Sequence, residues 1–186
     1  MPDKIRVRTL RRNDWPVIEK LFGEKGACAG CWCMYWRSPV GGKKFEARKG
    51  EPNRNDFHEL VTSGQVHGVL AFSGRDPVGW CSIGPRAEHR RLGGPEDFQD
   101  EINAVWSLTC FYIKRSHRRT GRVSELIGAA VDYARRGGAV LVEAYPVEPD
   151  APSYRFMGFT PVFTRAGFTE VGTTSFRRHV MRLRLR

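Results

Sequence analysis

Apolar and polar residues alternate in KIRVRTL, with Ile5 and Val7 on one side and Lys4, Arg6 and Arg8 on the other, the signature of a half-buried strand. Asn13 then offers an N-cap for a helix carrying Trp15, Ile18, Leu21 and Phe22. Residues 23–42, rich in Gly and aromatics, read as an elaborated loop. Residues 43–50 and 55–62 suit two short helices, the second capped by Asn53 or Asn55 with Phe57, Leu60 and Val61 inward. From Gln65 the pattern changes to strand: VHGVLAF, a turn at SGRDP and VGWCSI form a hairpin.

A long polar segment, residues 85–101, precedes AVWSLTCFYI, a nearly continuous apolar run that requires cover on both faces and therefore a central place in a sheet. Beyond it, Leu126, Ile127, Ala130, Val131 and Ala134 fall 3, 4, 7, 8 and 11 residues after Val123, so one helical face is apolar until Gly137 and Gly138 stop it. AVLVEAY follows at once and completes a strand, helix, strand crossover with parallel strands. Thr160 and Pro161 open a short helix that ends at Gly167. The final strands are FTEVG and HVMRLRLR. In the latter, His179, Met181, Leu183 and Leu185 share one face and Arg178, Arg182, Arg184 and Arg186 the other, with Val180 the exception.

The 186 residues, 40% hydrophobic, suffice for one core, and a single domain over residues 1–186 is expected. Lys and Arg number 31 against 20 Asp and Glu, a formal charge of +11 that favours anionic partners. Nucleic acid, headgroups and a polyphosphate ligand all satisfy it. The five cysteines are odd in number, with Cys28, Cys31 and Cys33 crowded together, which suits a reducing cytoplasm better than a disulfide framework. No apolar run approaches the roughly 20 residues that span a bilayer, so a soluble, cytoplasmic protein without a membrane partner is expected. Zinc at Cys28, Cys31 and Cys33 would need a fourth ligand from Cys81, Cys110, His58 or His67 at no telling spacing, so no metal is expected.

Candidate chemistry concentrates in SHRRTGRVSELI, residues 116–127. A helix start presents unpaired amides and the positive end of the macrodipole; Gly121 admits a ligand close to the main chain, and Arg115, Arg118, Arg119 and Arg122 add countercharge. A pyrophosphate fits such a cradle. The stretch resembles the acyl-coenzyme-A motif of the GCN5-related N-acetyltransferase (GNAT) superfamily: Gln or Arg, two residues, Gly, one residue, then Gly or Ala. Arg118 and Gly121 match, with Val123 at the last position. The strands on either side and the late TPVFTRAGF segment follow the family's order, so the resemblance covers nearly the whole chain; GACAGCWCMYWR, VGWCSIGPR and EAYPVEP together resemble a CWCMYW-type subgroup of that superfamily.

The resemblance implies an α/β (α+β) fold, with a single mixed, centrally parallel, twisted sheet of about six to seven strands flanked by about four to five helices. It implies acetyl-CoA as cosubstrate, gripped by the backbone of Phe111, Tyr112 and Ile113 and by Arg118, Arg119, Thr120, Gly121, Arg122, Val123 and Ser124. The reaction would be direct attack by a primary amine in a ternary complex, with the amide near Phe111 as oxyanion donor. Four family positions are altered: Phe163 replaces the frequent acid Tyr, Ser107 replaces a base carboxylate, Val123 stands where a small residue is usual, and the frequent Asn after the fifth strand has no counterpart in PVEPDAPSYRF. Glu101, with Asp97 and Glu88 behind it, is then the candidate base, and Tyr154 or Tyr145 the candidate acid. Trp32, Tyr35, Trp36, Trp80 and Trp106 would form an aromatic wall for a small apolar or aromatic amine, with cation–π contact to it. A non-catalytic acyl-CoA-binding regulator is an alternative. A nucleic-acid-binding module rests on charge alone, since no recognition motif is present. The strand edges at the C-terminus suit a homodimer.

Overall fold

The computed structural model describes residues 5–90, 92–95, 104–174 and 177–185. Among the described residues, seven strands join one sheet in the order β1-β2-β3-β4-β5-β7-β6. These are β1 (Ile5–Thr9), β2 (Gly68–Ser73), β3 (Asp76–Pro85), β4 (Val105–Ile113), β5 (Leu141–Ala144), β6 (Thr169–Thr173) and β7 (His179–Arg184). Only β4 and β5 pair in parallel, joined through α4 (Arg122–Arg136). The other helices are α1 (Trp15–Phe22), α2 (Gly42–Glu46), α3 (Glu51–Ser63) and α5 (Thr160–Arg165).

Alternation along the strands divides the core. In β2, Val69 and Ala71 pack with Leu126, Ile127 and Ala130 of α4, whereas Leu70 and Phe72 pack with Ile18, Leu21, Phe22 and Phe57 of α1 and α3. Cover on both faces explains the unbroken apolar run in β4.

The element boundaries depart from the sequence pattern at identifiable points. α3 begins at Glu51, earlier than expected: Gly50 takes φ +93° to turn the chain in, and Pro52 occupies the first turn, where its missing NH costs nothing. Asn53 is therefore no cap; it is fully buried and donates to the Gly30 carbonyl (3.4 Å), tying α3 to the cysteine-rich loop. The residue before α1 is Asp14, and its carboxylate takes two bonds from Arg8 (2.6 and 2.8 Å) and one from the Arg11 amide (2.7 Å) instead of capping. In β7 the arginine face is partly internal: Arg178 is buried, and Arg182 donates to the buried Glu143 (2.7 Å). No described helix is long and apolar enough to cross a membrane.

Candidate active site

β4 and β5 stay paired only from Val105↔Leu141 to Leu108↔Ala144. Past that point the second chain turns away: the Pro146 carbonyl accepts the His179 amide (2.8 Å), and Val147 bridges to Phe159. The sheet thus splits into a V, leaving one edge of β4 open from Thr109 onwards. The pairing of β4 with β3 slips by one residue between Ser82 and Ile83, making Thr109 the extra residue of a bulge at the point of the V.

The direction of the β4 backbone follows from its ladder. The Lys114 amide donates to Val78 of β3 (2.9 Å), so alternation turns the amides of Phe111 and Ile113 toward the open edge. The Ile113 carbonyl shows the same direction, accepting Arg118 Nε (2.9 Å) from across the V. By the same rule the Tyr112 amide faces β3, so of the three expected backbone anchors two address the gap.

The chain then passes through a 3-10 turn at Arg115–His117 and enters α4. Arg119 (φ +62°) and Gly121 (φ +79°) both adopt left-handed backbone. The amides of Arg119, Thr120, Gly121 and Val123 have no partner among the described residues and cluster at the N-terminus of a fifteen-residue helix. Thr120 Oγ1 is committed to the His117 carbonyl (2.7 Å). Arg122 is buried and pairs with Glu125 (3.0 Å), so its charge is held against the helix. A Cβ on Gly121 would meet nothing within 4 Å, which leaves open space above the main chain. Polarity, open donors and space together suit a diphosphate.

Beside β4, a cavity of about 210 Å³ is lined by Thr109, Cys110, Phe111 and Tyr112 on one side. Cys28, Cys31, Cys33, Tyr35, Trp36 and Phe45 line the other. Phe22, Trp80 and Phe156 complete an apolar wall, while Glu46 and Lys49 supply charge. Tyr35, Trp36 and Trp80 of the expected aromatic wall thus come together. Trp32 does not line the cavity; it stacks on Trp15 (5.7 Å between centroids) in the core behind it. Trp106 lies in the other core, edge-on to Tyr133 (5.5 Å) and against Gly137. Nor are the ring faces vacant for a substrate cation: Arg178 lies over Trp36 (4.7 Å) and Tyr154 (5.3 Å), and Arg90 over Tyr35 (5.3 Å).

The candidate acids and bases scatter. Tyr145 is fully buried below the V, where its hydroxyl donates to Glu143 Oε1 and accepts from Arg86 (2.6 Å). Burial, and then the Glu143 charge, raise its pKa well above the ordinary phenol range. Ser107 belongs to the same cluster, 3.3 Å from the Tyr145 hydroxyl. Glu143, Arg86 and Arg182 complete a buried charged staple across the ends of β3, β4, β5 and β7, rigid and away from the cavity. Tyr154 (φ +57°) stands closer: its hydroxyl lies 3.3 Å from that of Tyr35, which lines the cavity. Phe163 is buried against Phe111 and Phe168, as a ring without a hydroxyl should be. Glu88 is no free surface carboxylate, since it binds the buried Arg37 (3.1 Å). Glu101 and Asp97 lie outside the described residues.

Several site residues carried no signal in the sequence: the Thr109 bulge, Arg37, and the contacts of Cys33. Cys33 Sγ accepts a hydrogen bond from Trp80 Nε1 (3.2 Å) at the back of the cavity. Arg37 NH2 donates to Ser82 Oγ (3.1 Å), and Thr109 Oγ1 to the same oxygen (3.3 Å). Thr109 also meets Nε2 of the half-buried His89 (3.3 Å), whose pKa is driven well below the imidazole range by desolvation and by Arg37, leaving the ring neutral. Among the described residues, no group of three or more His, Cys, Asp or Glu side chains is placed to hold a metal ion.

Comparison with solved structures returns the same architecture. A YncA acetyltransferase from Salmonella typhimurium, determined with acetyl-CoA, superposes with a TM-score of 0.56 at 18% identity, covering 98% of this chain and 94% of that one. The PaiA N-acetyltransferase of Thermoplasma acidophilum, in complex with coenzyme A, gives 0.57 at 13%, covering 98% and 99%. A GCN5-related N-acetyltransferase from Kribbella flavida gives 0.56 at 20%, covering 97% and 98%. No curated protein sequence matches. The model of the acetyltransferase (GNAT) family matches residues 24–159, spanning the cysteine-rich loop, the split sheet and the α4 cradle, and the chain belongs to that family.

Proposed function

We propose that this protein is an acetyl-CoA-dependent N-acetyltransferase that acts on the primary amine of a small apolar or aromatic acceptor by direct attack in a ternary complex. The observation that carries the reading is the open amide row of Arg119, Thr120, Gly121 and Val123 at the mouth of a V-shaped gap between β4 and β5. The diphosphate would bind these amides, and the pantetheine arm would add to the free edge of β4 as a further strand. That brings the thioester to the Thr109–Phe111 end of the strand, where the Phe111 amide, turned into the gap, would stabilise the tetrahedral oxyanion. The apolar cavity lies on the same stretch of β4 and would present the amine to the carbonyl, so orientation supplies much of the rate. Its ring faces already bear arginines, which favours an acceptor bound by its apolar body over one held by cation–π contact.

Calorimetric titration with acetyl-CoA tests the anchor. Gly121→Ala adds a Cβ into open space but forces alanine into left-handed backbone, at about 1 kcal/mol. It should weaken binding at least tenfold by blocking ligand approach, while Arg118→Ala weakens it by loosening the Ile113 turn. Titration heats unchanged in both variants would reject the cradle. Thiol release with a panel of amines then separates catalysis from mere binding. For assembly, we propose pairing of two copies along the outer edge of β6, an edge strand carrying the exposed Val171; sedimentation at micromolar concentration should show a dimer, and a monomer would end that proposal.

A further inference from the structure

An acceptor amine is an ammonium near neutral pH and must lose a proton before it can attack. Ser107 and Phe163, which occupy the positions where the family resemblance leads one to expect base and acid, lie outside the cavity wall. Cys33 is part of that wall. Its sulfur accepts from Trp80 Nε1 of β3 at 3.2 Å. Cys110 of β4 and Arg37 line the same cavity. The Arg37 guanidinium lies close enough to act on its charge, and Arg37 Nε is buried with no partner among the described residues. An indole NH bonded to the sulfur and a guanidinium in the same cavity wall form a setting that favours a thiolate. The backbone holds it there at some cost: Trp32 (φ +49°) and Cys33 (φ +56°) are consecutive left-handed residues without being glycine, on the order of 1 kcal/mol each.

We propose that Cys33 is the general base of the acetyl transfer, its thiolate taking the proton of the acceptor ammonium inside the cavity. The inference rests on the acetyltransferase reading above. The thiolate and the ammonium give thiol and neutral amine. The amine lone pair then forms the C–N bond to the thioester carbon, and the C–S bond to coenzyme A breaks. A second nitrogen proton goes to the departing sulfur, and Cys33 returns its own proton to solvent before the next turnover.

The surrounding charges agree. The neighbouring Cys110 first, then Arg37, Trp80 and Ser82, outweigh burial and bring the Cys33 pKa down to about 7, while Cys110 itself is raised well above the usual thiol range. Cys31, raised to about 11 chiefly by burial, and Cys81, pushed well above the usual thiol range by burial, remain thiols. Glu88 pairs with Arg37 and moderates its charge, and His89 beyond it is neutral. At the mouth, Glu46 and Lys49 oppose one another in sign. A base titrating close to the working pH combines full availability with useful proton affinity.

Two measurements decide the matter. In the protein without ligands, ultraviolet thiolate absorbance followed against pH should show one step near neutrality that is missing from Cys33→Ser. With acetyl-CoA and a reactive amine, the wild-type profile of kcat/KM should fall on the acid side of that step. Cys33→Ser should lose roughly a hundredfold or more, keep acetyl-CoA affinity, and retain only the limb set by the amine. Titration of the step in the ordinary thiol range, or a variant with wild-type rate and profile, overturns the proposal. So does mass-spectrometric detection of an acetyl group on Cys33 in wild-type enzyme without amine, which would make the sulfur a nucleophile. Failure of acetyl-CoA to bind would sink the acetyltransferase reading instead and leave the absorbance step in place, so the two failures are distinguishable.

Discussion

Two tryptophans four positions apart show how identical chemistry divides between packing and recognition. Trp32 stacks on Trp15 and tilts against Phe22 (5.9 Å), and Gly26 is obliged to lack a Cβ because one would sit 2.3 Å from the Trp32 ring nitrogen. Trp36 lines the cavity, with Tyr35 edge-on to it (4.9 Å). Trp32→Ala should therefore destabilise by about 3–5 kcal/mol, read as a lower denaturant midpoint, while leaving the ranking of amine acceptors intact. Trp36→Ala should change that ranking toward bulkier amines, since it enlarges the wall itself. An amine panel assayed alongside urea melts separates the two effects, and an unchanged ranking in Trp36→Ala would remove that residue from the acceptor site.

At the scale of elements, what could be read in the sequence was what local periodicity and turn chemistry determine. The run AVWSLTCFYI announced a strand covered on both faces, the 3, 4, 7, 8, 11 spacing announced α4, and the Arg- and Gly-rich stretch between them announced the turn that opens the helix; each is a property of neighbours in the chain. The start of α3 was misplaced because Gly50 and Pro52 act through backbone angles that outrank the capping preference of Asn53. Arg178 and Arg182 looked like a solvated face because alternation gives the side of a strand and not what lies against it; Glu143, one strand away, and the rings of Trp36 and Tyr154 draw them inward. The Thr109 bulge, the cysteine and arginine at the cavity wall, and the burial of Tyr145 all involve contacts between residues 20 to 59 positions apart, beyond the reach of any periodicity. Trp32 and Trp106 were placed in the wall by residue type alone, and type cannot tell a core ring from a lining one.

At the scale of the molecule, the sheet is two laddered groups of strands joined by a short parallel seam. The strands from β1 to β4 are laddered throughout, β5, β7 and β6 form a second laddered group, and only the four pairs from Val105↔Leu141 to Leu108↔Ala144, stapled by Glu143 to Arg86 and Arg182, join the two. Past Ala144 the halves separate, and main-chain groups that a complete sheet would pair face a gap. A ligand that hydrogen-bonds to the free edge of β4 and to the α4 amides would therefore complete the sheet as well as occupy a site. Binding at a concentration a hundredfold above Kd should add about 2.7 kcal/mol to global stability. Beyond that uniform gain, amide exchange should slow locally at Phe111, Ile113, Arg119, Thr120, Gly121 and Val123, whose hydrogens face the gap or the cradle, while Tyr112, already bonded toward β3, changes only with the global opening. Hydrogen exchange resolved to single residues, with and without acetyl-CoA, distinguishes this alternating pattern from the even protection that docking elsewhere on the surface would give. Equal protection of Phe111, Tyr112 and Ile113 would mean that the gap between β4 and β5 is not where the ligand lies.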